Sequence, residues 1–196
     1  MVSAACHHSA LIAQATFRAI LDATARPGTV RPIGIAVSPP APLSTGHATV
    51  ALTLCDHDTP LWLDDELRAS TTICDWLRFH CGCELVDEPG HAAFALASGA
   101  TALPPFDAFS LGTPDYPDRS TTLVLAVRSL TSGNRLTLSG PGVRSRTTLR
   151  AEPLPDDMTS RLAANRALFP RGIDLLLVTS DAVAAVPRSV RVVEED

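Results

Sequence analysis

The sequence predicts an α/β protein, built as a three-layer sandwich around a mixed sheet. Residues 121–127 and 173–179 are nearly continuous aliphatic runs, which is the character of strands buried on both faces. Segments with helical periodicity are interspersed with these strands, an order typical of helices packed on a sheet. The 196 residues fit one domain, and their 45% hydrophobic content can fill its core. We therefore expect a single domain over residues 1–196.

In the first half of the chain, local signals predict where several elements begin and end. Ser9 is the expected N-cap of a first helix, and Gly82 is the expected C-terminal stop of a later one. Residues 48–55 alternate like a strand, but Ser44 and Thr45 can cap a helix there, and we favour the helix. The predicted helices are 9–25, 48–55 and 70–81, and the predicted strands are near 29–35, 60–63 and 92–97.

The second half predicts a hairpin, a helix and further strands. The run at 121–127 and the alternating residues 135–138 are joined by Ser132-Gly133-Asn134, which predicts an antiparallel hairpin. Pro155 and an acidic first turn predict a helix at 156–168, since both suit a helix N-terminus. The remaining predicted strands are 146–150, 173–179 and 189–193.

Composition excludes several classes of protein. All 16 basic residues are arginine, so no side-chain amine can form a Schiff base and no P-loop lysine is present. A net charge of −5 argues against a general nucleic-acid binder. No stretch approaches the roughly 18 apolar residues of a membrane span. Five cysteines, an odd number, and an N-terminus unlike a signal peptide predict reduced thiols and a cytoplasmic location.

No catalytic or metal signature emerges from the residues. His80 and the Cys81-Gly82-Cys83 segment resemble half of a zinc site, but the cysteines are one residue apart and no second pair follows. His57, His91 and Cys55 would have to complete such a site across the fold. The chain also lacks the Gly-x-Ser-x-Gly elbow of acyl-transfer enzymes. We therefore predict no catalytic residue, no metal and no cofactor.

Candidate ligand contacts lie in short motifs at the ends of apolar runs, where loops present guanidinium and backbone N–H groups. The predicted ligand-binding residues are Arg26, His80, Arg119, Ser120, Gly140 and Gly142. Several of them have a structural alternative. Arg119 can pair with Asp115 or Asp118, and Gly140-Pro141-Gly142 can be a tight turn.

Two further structural alternatives concern Arg171 and the candidate His80. Arg171 can fix the start of a strand by pairing with Asp174. His80 lies on the apolar side of its helix, where a core or interface histidine is expected.

In this order and spacing, the motifs resemble the PhnH family, a component of the bacterial carbon–phosphorus lyase machinery. The resemblance runs from Phe17 to Val192. Its carriers are Phe17-Arg18, Arg26-Pro27-Gly28, Leu54 to Thr59, Leu77 to His80, Gly112, Pro117 to Leu123, Leu138 to Gly142, Phe169 to Leu176 and Pro187-Arg188-Ser189. The chain departs from the family pattern at Cys81-Gly82-Cys83, where Thr-Gly-Ala is usual, and at Ser189 and Val190, where Thr is usual.

The resemblance implies a specific role. PhnH proteins resemble pyridoxal-phosphate-dependent transferases in fold but lack the cofactor site. They form homodimers and associate with subunits G, I, J and L of phosphonate breakdown. With G, I and L, the PhnH component supports formation of ribose 1-methylphosphonate 5-triphosphate from ATP and methylphosphonate. The expected role is thus an accessory subunit without activity of its own; the alternative is an autonomous enzyme or binding protein for a phosphorylated small molecule.

Overall fold

A seven-stranded mixed sheet forms the centre of the protein, and a separate three-stranded antiparallel sheet covers part of one face. The computed structural model describes residues 2–34, 37–101 and 103–193. Its helices are α1 Val2–Ala25, α2 Thr45–Leu54, α3 Asp65–Arg68, α4 Thr71–Cys81 and α5 Met158–Ala167. Its strands are β1 Arg31–Pro32, β2 Leu61–Leu63, β3 Leu85–Val86, β4 Phe94–Ala97, β5 Thr122–Ala126, β6 Ser129–Ser139, β7 Thr147–Glu152, β8 Asp174–Val178, β9 Ala182–Val186 and β10 Arg191–Val192.

Helix ends follow the local capping residues in two cases and depart from them in one. The Ser44 side chain accepts a hydrogen bond from the His47 amide at 3.1 Å, which confirms the helix favoured over residues 48–55. Gly82 adopts the left-handed conformation at φ 70° and ends α4, as predicted. Ser9 as an N-cap is wrong, because α1 begins at Val2 and residue 9 lies within it. Alanine-rich sequence on both sides of Ser9 permits the helix to continue.

The large sheet has the order β1-β9-β8-β5-β4-β2-β3. Strands β3, β2, β4, β5 and β8 are mutually parallel, and β9 is antiparallel to both β8 and β1. The mixed sheet is therefore confirmed. The small sheet has the order β10-β6-β7, with antiparallel pairs throughout.

The predicted hairpin between 121–127 and 135–138 is wrong. Strand β5 lies between two parallel neighbours of the large sheet, whereas β6 pairs with β7 and β10 in the small sheet. Ser132-Gly133-Asn134 is not a turn; it lies inside β6, at an irregularity in the pairing with β7. The chain changes sheets within two residues after β5, so strands adjacent in sequence end in different layers.

Two apolar cores lie on opposite faces of the large sheet. Successive residues of β5 divide between them, because side chains of a strand alternate: Leu123 and Leu125 face one core, and Val124 faces the other. The first core is closed by the small sheet and by Leu162 of α5. The second is closed by helices α1, α2 and α4. The three layers are thus helices, the large sheet, and the small sheet together with α5.

Among the helices within the described residues, including the 24-residue α1, none has the length and apolar character needed to span a membrane.

Candidate functional site

A cleft of about 400 Å³ lies at the edge of the large sheet where β5 and β8 begin. Three of the sequence motifs supply most of its wall, and Thr24 near the end of α1 completes it. The lining residues are Thr24, Pro117, Asp118, Phe169, Pro170, Asp174, Pro187, Arg188 and Ser189. Since β9 runs antiparallel to β8, the residues after β9 return to the amino end of β8. This topology brings segments far apart in sequence to one site.

Arg188 holds the cleft together. Its Nη2 lies 2.5 Å from Asp174 Oδ2, and its Nε lies 3.2 Å from both carboxylate oxygens. The backbone N–H of Arg188 also donates to Asp174 Oδ1 at 2.9 Å, and Nη1 donates to the Pro117 carbonyl at 2.5 Å. A planar guanidinium suits this forked pairing. Arg188 is therefore neutralised by a carboxylate and shapes the cleft, which leaves little of its charge for a ligand.

Asp174 was expected to pair with Arg171, and this is wrong. Its carboxylate pairs with Arg188 instead, because β8 and β9 are antiparallel neighbours and place the two residues side by side. The prediction from closeness in sequence therefore named the wrong partner, although the Asp174 carboxylate does fix the start of β8.

Arg26, Gly140 and Gly142 meet beside this cleft. Gly142 has a φ of 79°, and a Cβ there would lie 2.2 Å from the Ala25 carbonyl oxygen. A Cβ on Gly140 would lie 3.2 Å from the Ser189 carbonyl oxygen. Both glycines thus allow chain segments to approach closely. The Arg26 side chain is exposed and pairs with Asp22, which also pairs with Arg31 at 2.5 Å.

Arg119 and Ser120 follow the Pro117–Asp118 wall of the cleft. The Arg119 guanidinium lies 4.2 Å from the centroid of the Tyr116 ring, a cation–π contact, and its side chain is exposed. No ion pair to Asp115 or Asp118 forms within the part of the chain that the structure describes. Ser120 is buried, and its Oγ has no hydrogen-bond partner there.

His80 lies apart from the other candidates. It stacks on Trp76 with 4.4 Å between ring centroids and lines a different cleft with residues of α1 and α2, such as Ile12 and Thr49. The expected role was that of a core or interface histidine; the core role is wrong, since the side chain is exposed near the end of α4, and the interface role stays a prediction. The six candidates therefore fall into two groups, five around the Arg188 cleft and one elsewhere.

The thiols of Cys55, Cys81 and Cys83 form a cluster near the ends of α2 and α4. A hydrogen bond between Cys81 and Cys83 lowers the pKa of Cys83 and raises that of Cys81, and burial raises the pKa of Cys55 to about 12. Within residues 2–34, 37–101 and 103–193, no three His, Cys, Asp or Glu side chains are arranged to hold a metal ion.

A polar network at the opposite edge of the sheet, where β2 and β4 end, was not identified from the sequence. Asp64 follows β2 and is fully buried, and its Oδ2 accepts hydrogen bonds from the amide and the hydroxyl of Ser98 at 2.6 Å. Strand order reverses between β2 and β4, so this is the switch point where parallel α/β sheets commonly bind ligands. Here the Asp64 carboxylate also caps α3 by accepting a hydrogen bond from the Leu67 amide. Its hydrogen bonds to Ser98 hold the loop after β4 next to the start of α3.

His47 lies near this network, on α2. It is fully buried, and its Nε2 lies 3.2 Å from the Val124 carbonyl oxygen. Burial lowers the pKa of His47 to about 4, because a charged imidazole loses its hydration in the core. The side chain is therefore neutral and structural near pH 7.

The fold and the Arg188 cleft define a mixed α/β protein whose cleft is lined in part by proline and is held by the Arg188–Asp174 ion pair. No nucleophile–base hydrogen bond occurs among the described residues that line the cleft. A family model described as bacterial phosphonate metabolism protein (PhnH) matches residues 4–193. The chain belongs to the PhnH family.

Two relatives extend this finding. The chain is 45% identical over 183 residues to the alpha-D-ribose 1-methylphosphonate 5-triphosphate synthase subunit PhnH of Rhizobium meliloti (strain 1021), covering 93% of this chain and 91% of that protein. It is 28% identical over 181 residues to the putative C-P lyase subunit protein HtxG of Stutzerimonas stutzeri, covering 91% of this chain and 85% of that protein.

Proposed function

We propose that this protein is an accessory subunit of a carbon–phosphorus lyase core complex. With subunits G, I and L it would support formation of ribose 1-methylphosphonate 5-triphosphate from ATP and methylphosphonate, and with J it would share the assembled particle. On its own it would have no activity. The observation that carries the proposal is the near full-length match, at 45% identity, to a protein named as the PhnH subunit of that synthase.

The chemistry of the Arg188 cleft supports a role in assembly. Its central arginine is occupied by Asp174 and the Pro117 carbonyl, so the cleft offers shape and apolar surface more than free charge. Phe169 remains 50% exposed on its wall. An exposed aromatic side chain on a rigid rim is a common anchor in protein–protein contacts. We therefore propose that this cleft receives a segment of a companion subunit, with Arg26, Arg119 and Ser120 at its margin.

Several finer features belong to the same proposal. The chain would act as one domain, form a homodimer when alone and work in the cytoplasm without a bound cofactor. A likeness to the fold of pyridoxal-phosphate-dependent transferases stays a prediction. Gly140 and Gly142 would position the turn beside the cleft, and His80 would serve a separate surface on α4.

Co-expression tests this function directly. The tagged chain is produced with subunits G, I, J and L, purified, and the particle mass is measured. Release of adenine from ATP and methylphosphonate is then assayed with G, I and L, with and without this chain. We expect a stable particle, and adenine release only when the chain is present. Turnover by the chain alone, or full turnover without it, would contradict the proposal.

A matched pair of variants tests the cleft. Asp118→Arg places a bulky cation on the wall, whereas Asp115→Arg makes the same charge change three residues away, outside the lining residues. Both positions are exposed, so neither change disturbs the core. We expect the first variant to lose its companions during purification and the second to retain them. Equal retention by both would remove the cleft from the interface.

A further inference from the structure

A second cleft, between the end of α5 and strand β10, carries two arginines that form no ion pair with the residues that the structure describes. Its volume is about 350 Å³, and its walls are Ala163, Arg166, Ala167, Arg191 and Val192. The alanines leave room on the helix side, while one arginine projects from each wall. No carboxylate is among the lining residues.

Arg166 is held in place but lacks an acceptor. Its guanidinium carbon lies 4.8 Å from the centroid of the Phe169 ring, so the aromatic face orients the group. Its Nε is buried and has no hydrogen-bond partner in the described part of the chain. A buried donor without an acceptor is destabilising, and more so when it carries a charge. The Arg166 guanidinium lines the cleft, so an anion seated there would provide a counter-charge.

Arg191 provides the second charge from a fixed strand. It pairs with Ser139 in the antiparallel ladder of the small sheet, and its side chain is exposed. Within the described ranges it forms no ion pair, in contrast to Arg26, Arg161 and Arg188, each of which meets an aspartate. Two guanidiniums that line one hollow and form no ion pair among the described residues create a local positive potential there, in a chain whose net charge is −5.

We propose that this cleft is a binding site for a phosphate- or phosphonate-bearing anion. Guanidinium groups bind the tetrahedral oxygens of such anions through two parallel hydrogen bonds. Phe169 lines the Arg188 cleft and its ring contacts Arg166, so a bound anion would sit near the proposed assembly surface. Because binding is measured on this chain alone, the inference does not rest on the proposed function.

A structural role for Arg166 alone makes different predictions. Arg166 lies in the last turn of α5, where a positive charge is favourable to the helix dipole. That role involves neither Arg191 nor an added anion. Binding measurements on both variants therefore separate it from an anion site.

Isothermal titration calorimetry of the full chain at about 50 mM salt, where screening is modest, provides the test. The probes are tripolyphosphate, ATP and methylphosphonate. We expect saturable binding that Arg191→Gln and Arg166→Gln each weaken about 10-fold or more, as loss of a charge-assisted hydrogen bond does. Equal affinity for tripolyphosphate and ATP would assign the site to a phosphate chain, and tighter binding of methylphosphonate would assign it to a phosphonate group.

Two further variants guard against misinterpretation. Arg18→Gln removes the same charge from an exposed position on α1, on the opposite face of the large sheet. The affinity of this control should stay within about twofold of the natural chain, which corresponds to about 0.4 kcal/mol. Ala167→Glu places a carboxylate in the cleft at an exposed helical position and should abolish binding while the unfolding midpoint stays unchanged. Absence of saturable binding, or equal weakening by Arg18→Gln, would overturn the inference.

Discussion

Arg188 and Asp174 form the ion pair that joins the three segments of the Arg188 cleft, and the distance between Nη2 and Oδ2 is 2.5 Å. The same arginine reaches the Pro117 carbonyl, and its own amide donates to Asp174. One side chain thus links the segment before β5, the start of β8 and the end of β9. The pair is 14% and 28% exposed, so solvent screens it only in part.

Removing the Asp174 charge should destabilise the protein. Asp174→Asn leaves Arg188 in a mostly buried position without its counter-ion, and we expect a loss of about 1–3 kcal/mol in the free energy of unfolding. Urea denaturation measures it. Asp75→Asn breaks an exposed pair with Arg78 at 3.6 Å and should cost less than about 0.5 kcal/mol. Equal effects of the two variants would show that the Arg188 pair is a surface contact.

The contact between Gly142 and Ala25 should be intolerant of a side chain. Gly142→Ala puts a Cβ 2.2 Å from a carbonyl oxygen at a φ of 79°, so we expect a destabilisation of at least about 2 kcal/mol. Gly99→Ala is the matched control, since its Cβ meets nothing within 4 Å. The control should shift stability by no more than about 1 kcal/mol. Thermal unfolding of both variants gives the comparison, and a neutral Gly142→Ala would contradict the close approach.

Stability should fall on acidification because of His47. The pKa of this imidazole is about 4 in the fold and 6.5 when unfolded, so the unfolded chain binds more protons between these values. The contribution is complete above pH 6.5 and is lost as the pH falls towards 4, by about 3 kcal/mol in all. Urea midpoints at pH 7.5 and 4.5 should differ less in His47→Gln than in the natural chain. The exposed His91→Gln should keep the natural slope; an unchanged slope in His47→Gln would disprove the assignment.

Asn165 should be a strong determinant of the α5–β8 junction. Its amide group donates to the Ile173 carbonyl and accepts from the Ile173 N–H, both at 2.9 Å, in a buried position. Asn165→Ala leaves two backbone groups unsatisfied and should cost about 2–4 kcal/mol. Asn134→Ala, at an exposed position of β6, should change stability by about 0.5 kcal/mol or less. Hydrogen exchange at the Ile173 amide should accelerate in the first variant alone.

Many helices and strands could be predicted from sequence, because caps and aliphatic runs depend only on neighbouring residues. The caps at Ser44 and Gly82 and the aliphatic runs of β5 and β8 identify their elements without reference to the rest of the chain. Strand β9 was missed because its Ala-Val-Ala-Ala-Val sequence has few β-branched residues. The pairing of β5 was mispredicted because its parallel partners are distant in sequence, and no local pattern encodes them.

The sequence motifs around the site could be identified from sequence, but the contacts between them could not. The Arg-Pro-Gly and Gly-Pro-Gly motifs were identified as containing candidate ligand contacts, and their glycines lie close to other segments of the chain. The pairing of Arg188 with Asp174 depends on the antiparallel β8–β9 pair, which was not predicted. Arg166 and Arg191 were not singled out, because the cleft that brings them together, with no carboxylate among its lining residues, arises only from packing.

The approach of Gly142 to Ala25 also has a mechanical meaning. Helix α1 and the small sheet lie on opposite sides of the large sheet, yet the last residue of α1 closely approaches the loop after β6. A pull exerted on the end of α1 would reach the loop after β6 without passing through the central strands. The two outer layers are therefore linked by a direct contact as well as through the large sheet.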